Sequence, residues 1–164
     1  MDEVKKTSKK KVIIIAAVIA AVIAVVLFFT LGSSATFSVD EINWDLGIQQ
    51  LEEECDGKLI EKAAGTLSYE YDSFEGIVDC DITANYFYTN VNAFSGDGGE
   101  LDNISIYISE ATDENAKKII DHFNMEEDSQ DKGVYYKYTE DLVIRLDYKS
   151  ELMPDKLHIH ISKR

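Results

Sequence analysis

Two periodicities divide the chain. Residues Val12–Leu31 (VIIIAAVIAAVIAVVLFFTL) carry no charge, and Thr30 is their only polar member. At about 1.5 Å of rise per residue, such a run spans about 30 Å as a helix, the thickness of a bilayer hydrocarbon core. A helix buried in a soluble core shows a polar stripe, and this one has none. The pattern predicts a single transmembrane helix over 12–31. Ala16, Ala20 and Ala24 recur along it every four residues, a small-residue row on which two such helices could pair.

After Gly32–Thr36, a short linker, the pattern becomes mixed. Ser38 and Glu41 have the spacing of a capping box, with Phe37 and Ile42 as its hydrophobic staple. Trp44, Ile48, Leu51 and Cys55 then recur at helical spacing, and Asp56-Gly57 is a stop. A helix is expected from Ser38 to Cys55. Leu59–Ala64 fits a helical turn or a strand equally. From Leu67 the period is two: Leu67, Tyr69 and Tyr71; then Val78, Cys80 and Ile82; then a Tyr/Phe/Asn-rich run over 85–92; then Ile104, Ile106 and Ile108. Thr112 caps a second helix with Asp113 and Glu114 in its first turn, and Ala116, Ile119, Ile120 and Phe123 form its apolar stripe. Three more strands follow, marked by Val134/Tyr136/Tyr138, Ile144/Leu146/Tyr148 and Leu157/Ile159/Ile161. The only proline, Pro154, lies between the last two of these strands.

The expected architecture is a transmembrane helix followed by one α+β domain over 37–164. Its core is a twisted antiparallel sheet of five to seven strands with two helices packed on one face. The order helix, strands, helix, strands suggests a doubled unit, although no residue-level repeat is visible.

Charge sets the topology. Residues 1–11 hold five lysines against Asp2 and Glu3, a net of +3; the remainder holds 11 basic and 29 acidic residues, a net of −18, giving the total of −15. A basic flank stays on the cytosolic side, so the acidic domain is expected outside the cytosol. The alternative is a cleaved signal peptide with Ser33-Ser34-Ala35 as the cleavage site, but the apolar run exceeds the usual h-region of about 7–15 residues. A domain this acidic repels phosphate backbones, which excludes nucleic acid as a partner.

An oxidising compartment makes Cys55 and Cys80 a candidate disulfide. Both lie on apolar faces, and the bond would close a loop of about 25 residues, contributing about 3 kcal/mol in the loop-entropy account.

Candidate chemistry is sparse. His158 and His160 alternate with buried aliphatics and share a face, the spacing of two metal ligands on a strand, with Asp147 or Arg145 on the neighbouring strand; a zinc site needs further ligands. The loop Ser95–Glu100 and its flank offer oxygen donors (Asp97, Glu100, Asp102, Asn103) without the ordered spacing of a calcium loop. Asp79 and Asp81, with Glu70 and Asp72, could form the carboxylate pair of a small envelope hydrolase. Tyr86, Tyr88 and Tyr107 stand among asparagines as candidate ligand-binding aromatics, the alternative being cross-strand core packing. Asn103-Ile104-Ser105 is a glycosylation sequon, and His122 sits at a helix end. No dinucleotide, phosphate-loop, zinc-protease or serine-hydrolase motif is present, and no cofactor is implied.

The expected function is a membrane-anchored, extracytoplasmic interaction or ligand-binding domain without enzymatic activity. It would engage a protein or glycan through its sheet face. The alternatives are the hydrolase and an assembly protein pairing through its transmembrane helix.

Overall fold

The computed structural model describes residues 34–92, 98–151 and 156–164. The transmembrane helix expected over 12–31, its Ala16/Ala20/Ala24 row, the basic tail and Asp97 lie outside these residues. Among the described residues no helix is long and apolar enough to cross a membrane.

Nine strands form one sheet: β1 (Thr36–Phe37), β2 (Lys58–Ala63), β3 (Thr66–Phe74), β4 (Val78–Thr89), β5 (Glu100–Ile108), β6 (Glu126–Glu127), β7 (Val134–Tyr138), β8 (Leu142–Tyr148) and β9 (Leu157–Lys163). Two helices, α1 (Ile48–Glu54) and α2 (Asp113–Phe123), complete the domain. The sheet has more strands than the five to seven expected. Two of them, β1 and β6, are only two residues long, too short to show a period, and β2 is the ambiguous 59–64 run. All pairings are antiparallel except β1 with β3.

The strand order is β1-β3-β4-β5-β9-β8-β7-β6, with β2 on the outer edge of β3. From β2 inward this order is a palindrome. A helix and four strands (α1, β2–β5) are followed by a second helix and four strands (α2, β6–β9), and the two sets join through their last strands. The palindromic order makes the two halves pseudo-symmetric about this join, near whose centre Ile106 pairs with Ile159. Ala84 beside Ile106 then corresponds to Leu146 beside Ile159. The doubled unit is thus real in topology, though its two halves share little sequence.

Alternation assigns the two faces. Cross-strand partners point the same way, so Tyr69, Ala84, Ile106, Ile159, Leu146 and Tyr135 form one row across six strands. Leu67, Tyr86, Ile104, Ile161 and Ile144 form the next. These rows and the buried residues of both helices (Ile48 and Leu51; Ala116 and Ile119) make one core. Both helices therefore cover the same face.

The second helix forms as its sequence predicts. Thr112 accepts from the Asn115 N–H at 3.1 Å, and Asn124 ends the helix in the left-handed conformation, at φ 49°. The first does not begin at Ser38. Glu75, at the β3–β4 turn, accepts from the Val39 N–H and from the Ser38 hydroxyl, so the intended cap is used to latch this segment to the sheet. Asn43 then makes a local turn by accepting from the Asp45 N–H, and Gly47 interrupts helical propensity. Only after Gly47, whose N–H donates to Gln50 Oε1, does the chain turn helical. Ile42, Trp44 and Leu46 pack half-buried against the core instead of extending the helix.

Candidate functional site

Among the described residues, no helix lies on the opposite face of the sheet. Its central row is Ser68, Asn85, Ser105, His160, Arg145 and Tyr136; the rows beside it are Glu70, Thr83, Tyr107, His158, Asp147, Val134 and Thr66, Phe87, Asn103, Ser162, Val143, Tyr138. The middle of this open face is thus hydroxyl, amide and aromatic, with a cluster of charge over β8 and β9. Ser105, Tyr107, His158 and His160 lie on the two strands of the central join.

The charged cluster is organised around Asp147, which is 4 % exposed. Arg145 Nη2 donates to Asp147 Oδ1 at 2.7 Å, and His158 Nδ1 lies 3.9 Å from Asp147 Oδ2. The Tyr107 ring stacks on His158 with centroids 4.6 Å apart and planes inclined by 22°. That stacking covers His158 on a face where no described helix lies. Both of its ring nitrogens are shut off from solvent and have no hydrogen-bond partner among the described residues. Burial lowers the His158 pKa first; Asp147 opposes this, while His160, Arg145 and Lys156 reinforce it. The ring is therefore neutral at physiological pH. His160 is also shifted down, by burial and then by Arg145, and its Nδ1 lies 3.5 Å from Ser105 Oγ.

Aromatic side chains extend the cluster. The Arg145 guanidinium sits 5.9 Å from the centroid of Tyr136, and Tyr136 stacks on Tyr138 at 5.7 Å with planes 15° apart. Tyr138 is 59 % exposed, the most open large hydrophobic side chain among the described residues. This places a rigid aromatic step beside an ion pair, a combination suited to surface recognition.

The residues singled out from sequence separate. Tyr107 is on the open face, whereas Tyr86 and Tyr88 are on the helix-covered face, 5 % and 7 % exposed. The reason is parity: Tyr86 pairs with Leu67 and Ile104, and Tyr88 with Leu101, so both share the direction of the core rows. Tyr86 packs edge-on against Tyr69, and its hydroxyl is 2.7 Å from that of Tyr71. Conversely, Tyr136, Tyr138 and Val134 face away from the helices, while Tyr135 and Lys137 pair with Leu146 and Ile144. A strand with aromatics on both faces hides which set is inward.

The expected disulfide is absent, and Cys55 and Cys80 are both free thiols. Cys55 caps the C-terminus of α1 and points its sulfur to the Tyr71 hydroxyl, 3.0 Å away, at the Tyr86 end of the core. Cys80 lies six residues along β4 from Tyr86, about 20 Å of strand.

The metal and hydrolase readings find little support in this geometry. Among the described residues no three His, Cys, Asp or Glu side chains are placed to hold a metal ion. His158 and His160 do share a face, but the His158 nitrogens are covered. Asp79 and Asp81 are exposed, and Glu70 is tied to Lys58 at 2.9 Å. A hollow of about 350 Å³ beside Tyr107 includes Asp81 as its only carboxylate among the described residues, with Thr83, Ser109 and Lys156. Asn103 of the sequon lies within β5 and donates to Asp102 Oδ2 at 2.8 Å.

Among the described residues the fold is a doubled helix-plus-four-strand domain with helices on one face of the sheet and none on the other. No protein-family model, curated protein or solved structure matches the chain.

Proposed function

We propose that this protein is a membrane-anchored, extracytoplasmic binding domain without enzymatic activity, and that its open sheet face engages a protein or glycan partner. The observation that carries this reading is the composition of that face. Tyr107, Tyr136, Tyr138 and Phe87 stand among serine, asparagine and an Arg145–Asp147 pair, on a sheet whose other face holds the core. Aromatic rings give contact area at low entropy loss, and amides and hydroxyls give direction, which fits recognition of a neutral polar surface. The anchor rests on the apolar run 12–31 and its basic flank. Retention of the anchor is favoured by Ala35, whose N–H donates to Asp72 and whose carbonyl accepts from the Asp72 N–H. The chain is tied into the sheet directly at the alternative cleavage site.

The test is site-specific photo-crosslinking in the producing cells. A benzophenone amino acid replaces Tyr138 in one variant and Lys117, exposed on α2, in a control. The expected result is a discrete adduct from position 138 alone, lost when Tyr136→Ala is added. A protein adduct shifts electrophoretic mobility by its mass, and a glycan adduct stains after periodate oxidation. Equal or absent adducts at positions 138 and 117 would overturn the proposal.

A further inference from the structure

A second site lies on the other side of the sheet. A hollow of about 220 Å³ opens between the 36–46 segment, α1 and strands β3 and β4. Phe37, Ile42, Leu46 and Leu51 supply apolar walls, and the linked Cys55, Tyr71 and Tyr86 tips form a polar floor. Glu41, Glu54 and Asp56, all exposed, line its mouth, and no lysine or arginine does so among the described residues.

The three carboxylates differ from their neighbours. Glu52 and Glu70, nearby on α1 and β3, are neutralised by Lys62 and Lys58 at 2.7 and 2.9 Å. Glu41, Glu54 and Asp56 have no ion-pair partner among the described residues. An apolar chamber with an uncompensated negative mouth complements a ligand with an apolar body and a positive end. An engineered cavity of about 150 Å³ holds benzene, so about 220 Å³ has room for a ring with a short arm. The net negative domain would also raise the local concentration of cations at the mouth.

We propose that this hollow binds a small organic cation, a protonated amine on an aromatic or aliphatic ring. The ring lies against Phe37, Ile42, Leu46 and Leu51, and the ammonium meets Glu41, Glu54 and Asp56. This site is independent of the open face, so either assignment can fail alone.

The test uses the full-length chain in detergent micelles and calorimetric titration against micelle blanks. 2-Phenylethylamine, 2-phenylethanol and phenylacetate serve as cationic, neutral and anionic probes of matched shape. The amine is expected to bind saturably, at least tenfold more tightly than the alcohol, with no binding of the acid. Glu54→Gln/Asp56→Asn, both at exposed positions, should weaken the amine at least fivefold. The amine should also slow alkylation of Cys55 relative to Cys80 in the same sample, read by peptide mass. Three outcomes would each overturn the proposal: no saturable binding of the amine, equal affinity for amine and alcohol, or unchanged affinity in the double variant.

Discussion

Arg145→Met isolates the charge on which the open face depends. Asp147 is 5 % exposed at its side chain and Arg145 33 %, and they are joined by a 2.7 Å contact. Stranding one charge of a fully buried pair costs about 3–5 kcal/mol. Water reaches part of this guanidinium already, so a loss of about 2 kcal/mol is expected here. At roughly 4 °C per kcal/mol for a domain of this size, the melting temperature should fall by about 8 °C. Arg145→Met/Asp147→Leu removes both charges and should recover most of the loss, because an apolar pair needs no compensation.

His158 adds a pH signature to the same experiment. In the parent its pKa lies below the ordinary value, so between the two the unfolded chain binds a proton that the folded chain does not. Stability therefore rises with pH through that window and falls as acid approaches. Without Arg145, one group that disfavours the imidazolium is gone and Asp147 is left to attract it. The His158 value should move up, and the stability deficit of the single variant should shrink from pH 8 to pH 6. Urea unfolding followed by Trp44 fluorescence measures the stabilities, and imidazole proton resonances measure the titration. A single variant within about 0.5 kcal/mol of the parent, or a double variant no better than the single, would refute the assignment of Asp147 as a buried charge needing its partner.

Other substitutions read the remaining contacts. Tyr71→Phe takes away the hydroxyl that links Cys55 to Tyr86 and should destabilise by about 1–3 kcal/mol in the same urea assay, since it leaves a buried polar group unpaired. Gly57→Ala would place a methyl 2.7 Å from the Tyr71 ring and should lower stability by about 1–3 kcal/mol, whereas Gly47→Ala, with its nearest neighbour at 3.7 Å, should not clash. Thr112→Ala deletes the cap of α2 and should cost about 1 kcal/mol by thermal unfolding. Both cysteines should be alkylated after unfolding without reductant. In the folded protein Cys55 should react more slowly than Cys80, because burial first, opposed by its bond from Tyr71, pushes its thiol pKa up and thiolate is the reactive form.

The period-two runs were sufficient to place six of the strands. Leu67/Tyr69/Tyr71, Ile104/Ile106/Ile108 and Leu157/Ile159/Ile161 each show one buried face, and each is a strand with that face inward. The second helix was equally legible, because Thr112 and its acidic first turn are local signals for a local structure. The first helix was not. Its start depended on whether Ser38 would cap a helix or turn to Glu75, which lies 37 residues away. A long-range partner outweighed a well-formed local motif. The same holds for β7, where aromatics on both faces leave the parity to be set by pairing with β8.

The candidate site divides in the same way. Sequence alone determined that His158 and His160 share a face and that Arg145 and Asp147 share one too, since residues two apart on a strand always do. It also determined the separation of an apolar, basic-flanked segment from an acidic domain. Only the tertiary structure decided that the β8 pair meets the β9 pair, that Tyr107 covers His158, and that Tyr86 and Tyr88 belong to the core. It likewise separated Cys55 from Cys80. Alternation specifies that two sets of residues face opposite ways; which set meets a helix and which is left open depends on where the chain carries α1 and α2 across the sheet.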